Sequence, residues 1–235
     1  MLARKEILST VSPDRYSVLE MLSALFYIDP LDQPALVPLL DEAISLVAQF
    51  GTSIIPALVE KLDAGDLKAQ IAFAHALSRI GPDAIKPLIV QYISSKDPAR
   101  RSFILYALGK IKSPEIVEAL PLALEAAHSS ILELRDTATR ALGKFAESIP
   151  PARFPEHERQ LCLDRLQKNL ADSNAGIRSK AVRSLGKLAK YKHLSPDERT
   201  TLKTTCLLIL GKDENFEWDR AFVVRKEAEE TLKYV

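Results

Sequence analysis

Five stretches of the chain follow one template: an apolar residue, Arg, two variable positions, Ala, three variable positions, then Leu and Gly. Ile177-Arg178-x-x-Ala181-x-x-x-Leu185-Gly186 and Leu134-Arg135-x-x-Ala138-x-x-x-Leu142-Gly143 carry it in full. Val224-Arg225-x-x-Ala228-x-x-x-Leu232 lacks the glycine, Arg100-Arg101-x-x-Ile104-x-x-x-Leu108-Gly109 is looser, and Ala69-Gln70-x-x-Phe73-x-x-x-Leu77 is looser still. With Leu185 at 0° on a helix of about 100° per residue, Ala181, Val182 and Leu188 fall within roughly 60° of it. One apolar stripe per helix demands a partner helix. The small residues let that neighbour approach. The template Arg lies near 20°, at the edge of the stripe, where it is placed to pair with an acid of the adjacent repeat such as Asp97, Asp136 or Asp172.

The anchors Val47, Leu77, Leu108, Leu142, Leu185 and Leu232 are spaced by 30, 31, 34, 43 and 47 residues. A supersecondary unit recurring at this period predicts an all-α solenoid, a superhelix of about six antiparallel helix pairs. Pro and capping signals place helices from Ser12-Pro13-Asp14 to about 28, from 34 or 38 to 51, and near 53–63, 66–80, 82–95, 98–111, 114–128, 131–148, 156–171, 174–190, 196–211 and 219–235, with a short leading helix at 2–9. Residues 1–51 read as an irregular N-terminal cap, 52–148 as short regular repeats, and 149–235 as longer C-terminal repeats after a Pro-rich linker, within a single solenoid.

The ankyrin signature Thr-Pro-Leu-His and the tetratricopeptide Trp-Leu-Gly-Tyr pattern are both absent. Asp97-Pro98-Ala99-Arg100-Arg101 followed by Ala107-Leu108-Gly109-Lys110-Ile111 resembles the HEAT repeat in its short bacterial form, the phycobilisome-lyase HEAT-like type. The resemblance implies a superhelix whose second helices line the concave surface. It also implies a role among proteins that attach or remove open-chain tetrapyrroles on phycobiliproteins, or help dismantle the antenna. No lyase-specific catalytic motif is visible, so no catalytic residue is carried over.

Positions two before and two after each anchor fall near 160° and 200°, opposite the buried stripe. They read His75 and Arg79, Tyr106 and Lys110, Arg140 and Lys144, Arg183 and Lys187, then Glu230. Two readings stay open: a basic groove for an acidic partner, or an ordinary solvated face. Trp218, the only Trp, is an interface anchor or a plug of the last repeat, with the plug favoured; Phe154 presents the same choice. Cys162 and Cys206 read as two buried small hydrophobes, since no Cys-x-x-Cys accompanies them.

The net charge of +1 argues against a strongly basic nucleic-acid binder. No apolar run approaches the roughly 20 residues of a membrane span, and two Cys suit a reducing cytoplasm. One His-Glu pair, His157-Glu158, is too few for an iron-binding HEAT-like hydroxylase, and no phosphate loop, zinc-protease helix or serine elbow is present. The expectation is therefore a cytoplasmic, non-enzymatic scaffold without cofactor or metal, binding an acidic protein on its concave face through Arg79, Tyr106, Lys110, Arg140, Lys144, Arg183, Lys187 and Trp218. The alternative is a bilin lyase subunit or lyase-like chaperone acting on a phycobiliprotein. Self-association through the C-terminal helix is a further option, because nothing in the sequence covers Tyr234-Val235.

Overall fold

The computed structural model describes residues 12–63, 65–212 and 217–235. Among them regular structure is helical, apart from an isolated antiparallel bridge between Leu210 and Trp218. The leading helix expected at 2–9 lies outside the described residues. The chain divides into two compact units, Met1–Ile111 and Lys112–Val235. The first holds α1 (Ser12–Ser23), α2 (Val37–Ala48), α3 (Ile55–Glu60), α4 (Leu67–Ile80), α5 (Ile85–Ser94) and α6 (Pro98–Leu108). The second holds α7 (Leu120–Ala126), α8 (Leu132–Ser148), α9 (Glu156–Asn169), α10 (Ala175–Lys190), α11 (Pro196–Ile209) and α12 (Phe222–Thr231). Each unit stacks three helix pairs, and within each the second helices pack side by side: α2, α4 and α6 in one, α8, α10 and α12 in the other.

The second helices begin where their caps dictate. Asp66, Asp97 and Asn174 each accept two backbone N–H groups of the following turn. Ser195 and Glu198 form a reciprocal capping box at the start of α11. Several first helices differ from expectation. The spans 53–63, 82–95 and 114–128 open as 3₁₀ turns, Gly51–Ile54, Pro82–Ala84 and Pro114–Ala119, before α3, α5 and α7. The reason is a proline a few residues inside each span: Pro56, Pro87 or Pro121. It has no N–H to give an α-helical bond, so regular α pairing starts only around it. The last helix is also shorter than 219–235: α12 ends at Thr231 and a 3₁₀ turn, Leu232–Tyr234, follows.

The anchors are core residues: Val47, Leu77, Leu108 and Leu142 are fully buried and Leu185 is 1% exposed. Leu232, in the last repeat, is only half-buried. The glycine after the anchor marks the closest helix approach. A Cβ on Gly143 of α8 would lie 2.7 Å from the Ser184 Cα of α10, and one on Gly186 would lie 2.5 Å from the Thr231 Oγ1 of α12. At the same crossings Ser184 Oγ donates to the Thr139 carbonyl (2.9 Å) and Thr231 Oγ1 to the Val182 carbonyl (3.3 Å).

The template arginines are structural, in a more regular way than their angle alone indicates. Each donates to the backbone carbonyl six residues before it: Arg101 to Ser95 (2.8 Å), Arg135 to Ser129 (2.6 Å), Arg178 to Asp172 (2.8 Å) and Arg225 to Asp219 (2.6 Å). The side chains of those same four residues accept the N–H two positions on, shaping the loop that leads into the second helix. In the second unit Arg135 and Arg178 also reach the carboxylates of Asp172 (2.8 Å) and Asp219 (2.7 Å) in the next repeat. Of the three acids proposed as partners only Asp172 serves. Asp97 is occupied as the cap of α6, and Asp136 pairs with Lys180 because its side chain points to α10.

Candidate functional site

The second helices carry the expected polar columns, but their surroundings are not open solvent. Neighbouring second helices flank each column, so Tyr106, Lys110, Arg140, Lys144 and Lys187 are half-buried, while Arg79 and Arg183 are exposed.

In the first unit, α4 and α6 bring His75 and Tyr106 into a near-parallel stack, with ring centroids 6.1 Å apart and His75 Nε2 3.3 Å from the Tyr106 hydroxyl. Lys110 Nζ lies 5.1 Å from the Tyr106 ring centre. Arg79 is tied to α2, pairing with the Asp41 carboxylate and donating to the Asp41 carbonyl at 2.8 Å. Burial, with Lys110 and Arg79 nearby, pushes the His75 imidazole below its ordinary range. An apolar groove of about 300 Å³ adjoins this cluster, walled by Val37, Leu40, Ile44 and Ile71.

In the second unit the column is organised by an acid. Glu147, near the end of α8, accepts from Lys112 (2.6 Å), Lys144 (3.1 Å) and Lys187 (2.8 Å). Burial opposes its ionisation, yet the three ammonium groups outweigh burial and hold its carboxyl well below the usual carboxylate range. Lys187 fares differently. Burial, only partly offset by Glu147 and reinforced by the adjacent Lys144, pushes its ammonium down to about 8. Three cations sharing one anion favour the anion's charge, while the most enclosed cation, Lys187, is disfavoured first by its burial and then by Lys144. Arg183 is paired with Glu227 of α12, and Arg140 is engaged with its neighbours.

A groove of about 290 Å³ lies over α8, α10 and α12, between Lys144 and Glu147 on one side and Tyr234 on the other. Lys190 lines it with its Nζ 5.0 Å from the Tyr234 ring centre and 5.8 Å from that of Tyr191. Glu147, Lys190 and Lys112 are absent from the candidate columns of the sequence. A usable signal existed for two of them. Glu147 and Lys190 each lie five residues after an anchor, near 140°, on the same exposed side as the positions followed.

Trp218 is 60% exposed, so it does not plug the last repeat. Its backbone is held by the bridge to Leu210, and the neighbouring Asp219 takes Arg178, while the indole itself stays exposed. Phe154 does act as a plug: it is 6% exposed and meets the His193 ring edge-on at 5.1 Å. Cys162 and Cys206 are buried and free, and burial pushes their thiols up to about 12 and about 11. Among the described residues no single helix is long and apolar enough to cross a membrane.

Residues 55–143 match the family model of HEAT repeats, a stretch that contains the Asp97–Ile111 motif. No curated protein matches the chain. Among solved structures, a chain of the complex of CpcE and CpcF of phycocyanin lyase from Nostoc sp. PCC7120 is similar, with 22% identity, TM-score 0.61, 76% of this chain covered and 98% of that one. A chain in a structure of Kap95p with RanGDP gives 15% identity and TM-score 0.63 over 92% of this chain and 28% of that one. The designed armadillo repeat protein YIII(Dq)4CqI gives 15% identity and TM-score 0.50 over 99% and 98%. At these identities the likeness is one of fold: an all-α solenoid of HEAT-like repeats.

Proposed function

We propose, from a chain whose residues 55–143 are HEAT repeats, that the protein is a non-enzymatic binding scaffold that takes an acidic protein partner on the exposed sides of its second helices. The observation that carries this reading is the shortage of carboxylate around Glu147, where Lys112, Lys144 and Lys187 compete for one acid. The chain as a whole is near neutral, at +1. The positive surplus is therefore local, the form of charge that steers and orients a partner. Solenoids of this class present such columns across several repeats at once.

The test is a pull-down from native extract with partners identified by mass spectrometry. The wild type is compared with the variant Lys110→Gln, Arg140→Gln, Lys144→Gln and Lys187→Gln. Neutral replacements are chosen because a Glu at 144 or 187 would face Glu147. An acidic partner retained by the wild type and lost from a variant with an unchanged helical spectrum is the expected result. An identical set of partners on both proteins would overturn the reading.

A second reading, a bilin lyase subunit or lyase-like chaperone acting on phycobiliproteins, is supported by the fold likeness to the phycocyanin lyase chain, 98% of which is covered. Incubation with an apo-phycobiliprotein and free bilin checks it. Faster appearance of bilin absorbance on the denatured apoprotein would favour a lyase role; no acceleration and no binding would set it aside.

A further inference from the structure

The groove of the second unit has unequal charges along its length. Arg183 is matched by Glu227, and Glu230 by Lys233. Lys144 and Lys187 share Glu147 with Lys112. Lys190, three residues and so about one turn after Lys187, meets the faces of Tyr191 and Tyr234, and no carboxylate pairs with it among the described residues. The wall of α10 thus offers two ammonium groups, one short of carboxylate and one without any. Lys187 is also enclosed, its side chain 19% exposed. A charge pair formed in so sheltered a place is screened less than one on an open surface.

We infer that this groove anchors an acidic peptide segment of the partner, with one aspartate or glutamate side chain at Lys144 and Lys187 and a following one at Lys190, beside Tyr191 and Tyr234. The inference rests on the acidic-partner reading above and assigns its site and chemistry. The remaining lining selects a peptide over a phosphate. Glu147, Glu227 and Glu230 face the same groove and repel a dianion. Arg183, the one guanidinium there, already gives its Nε–Nη2 edge to Glu227, whose carboxylate offsets its charge toward a phosphate. A peptide instead brings singly charged carboxylates for the lysines and backbone N–H groups for the acids.

The experiment is fluorescence anisotropy with labelled hexaglutamate and, as control, hexaglutamine. The proteins are the wild type, Lys187→Gln with Lys190→Gln, and Lys110→Gln in the first unit, each with a thermal melt. Hexaglutamate is expected to bind the wild type, to lose about tenfold or more in affinity in the double variant, and to bind Lys110→Gln as well as the wild type. Hexaglutamine should not bind, and inorganic phosphate should not displace the acidic peptide at matched ionic strength. If the double variant melts early, Lys190→Gln alone replaces it, since Lys190 is exposed and makes no ion pair, and a loss of affinity is again expected. Equal affinity for wild type and groove variant, with a loss in Lys110→Gln, would overturn the groove and leave the acidic-partner reading standing. Displacement by phosphate would overturn the peptide assignment. Failure of hexaglutamate to bind any form would overturn both.

Discussion

Arg178 spans one repeat and the next. It donates to the Asp172 and Ser173 carbonyls of its own loop and, through two nitrogens, to Asp219 of the following loop. Its side chain is 19% exposed and that of Asp219 14%, so the pair is sheltered. Arg178→Met keeps the stem and removes every donor, and we expect a loss of about 2–3 kcal/mol in urea denaturation. Arg153→Met, which removes a pair whose side chains are about half exposed, should give no measurable change. Lys187 makes a pH-dependent prediction of opposite sense to an ordinary ion pair. Its ammonium is held at about 8 in the folded chain against 10.5 as the ordinary value. Between those two values the unfolded chain binds the proton that the folded chain has released. The contribution of this group to unfolding free energy therefore rises with pH across that window. The stability difference between wild type and Lys187→Met, measured by denaturation at several pH values from neutral to about 10, should move in favour of the wild type as pH increases. A flat difference would remove the lowered Lys187 ammonium from the account. The Arg positions were legible from their angle, whereas the shared i−6 carbonyl contact was not, because it depends on the loop folding back.

At the scale of the helix, the decisive features are punctuation and close approach. Caps at Asp66, Asp97, Asn174 and Ser195 start helices where short-range chemistry alone places them. Prolines were legible as helix starts, but Pro56, Pro87 and Pro121 displace the α-helical part of three first helices to Ile55, Ile85 and Leu120. The glycine after the anchor is a packing device. An exposed helical Gly→Ala would gain about 1 kcal/mol from propensity. Gly143→Ala is expected to lose instead, by about 1–3 kcal/mol, because its methyl group would meet the backbone Cα of Ser184 at 2.7 Å. A thermal melt of Gly143→Ala higher than that of the wild type would mean α8 and α10 are further apart than described. Trp218 shows the limit of reading elements from sequence. Its approach to a helix start suggests a plug, but the Leu210 bridge ends regular helix before it and leaves it 60% exposed.

For the whole molecule, a total of +1 conceals local imbalance: Arg135, Arg178, Lys180 and Arg183 are each matched with an acid of a neighbouring repeat, while Lys112, Lys144 and Lys187 share Glu147. Binding of the acidic partner should therefore weaken as salt rises from about 0.05 to about 0.5 M, where the screening length shrinks several-fold. Affinity unchanged over that range would indicate an apolar interface, and the exposed Trp218, Phe222 and Val223 would be tested next. By itself the sequence determined the helical stripes, their caps, the recurring unit and the all-α stack of helix pairs, because each depends on residues within a few turns of one another. Only the tertiary structure decided that Arg135 meets Asp172, that Lys180 meets Asp136, and that Lys112, Lys144 and Lys187 converge on Glu147. Apart from Lys144 and Glu147 on one helix, those partners lie 35 to 44 residues apart. A helix angle says which way a side chain points, but which neighbour stands there depends on how closely α8, α10 and α12 pack, and that distance is set at Gly143 and Gly186, across repeats rather than along the chain.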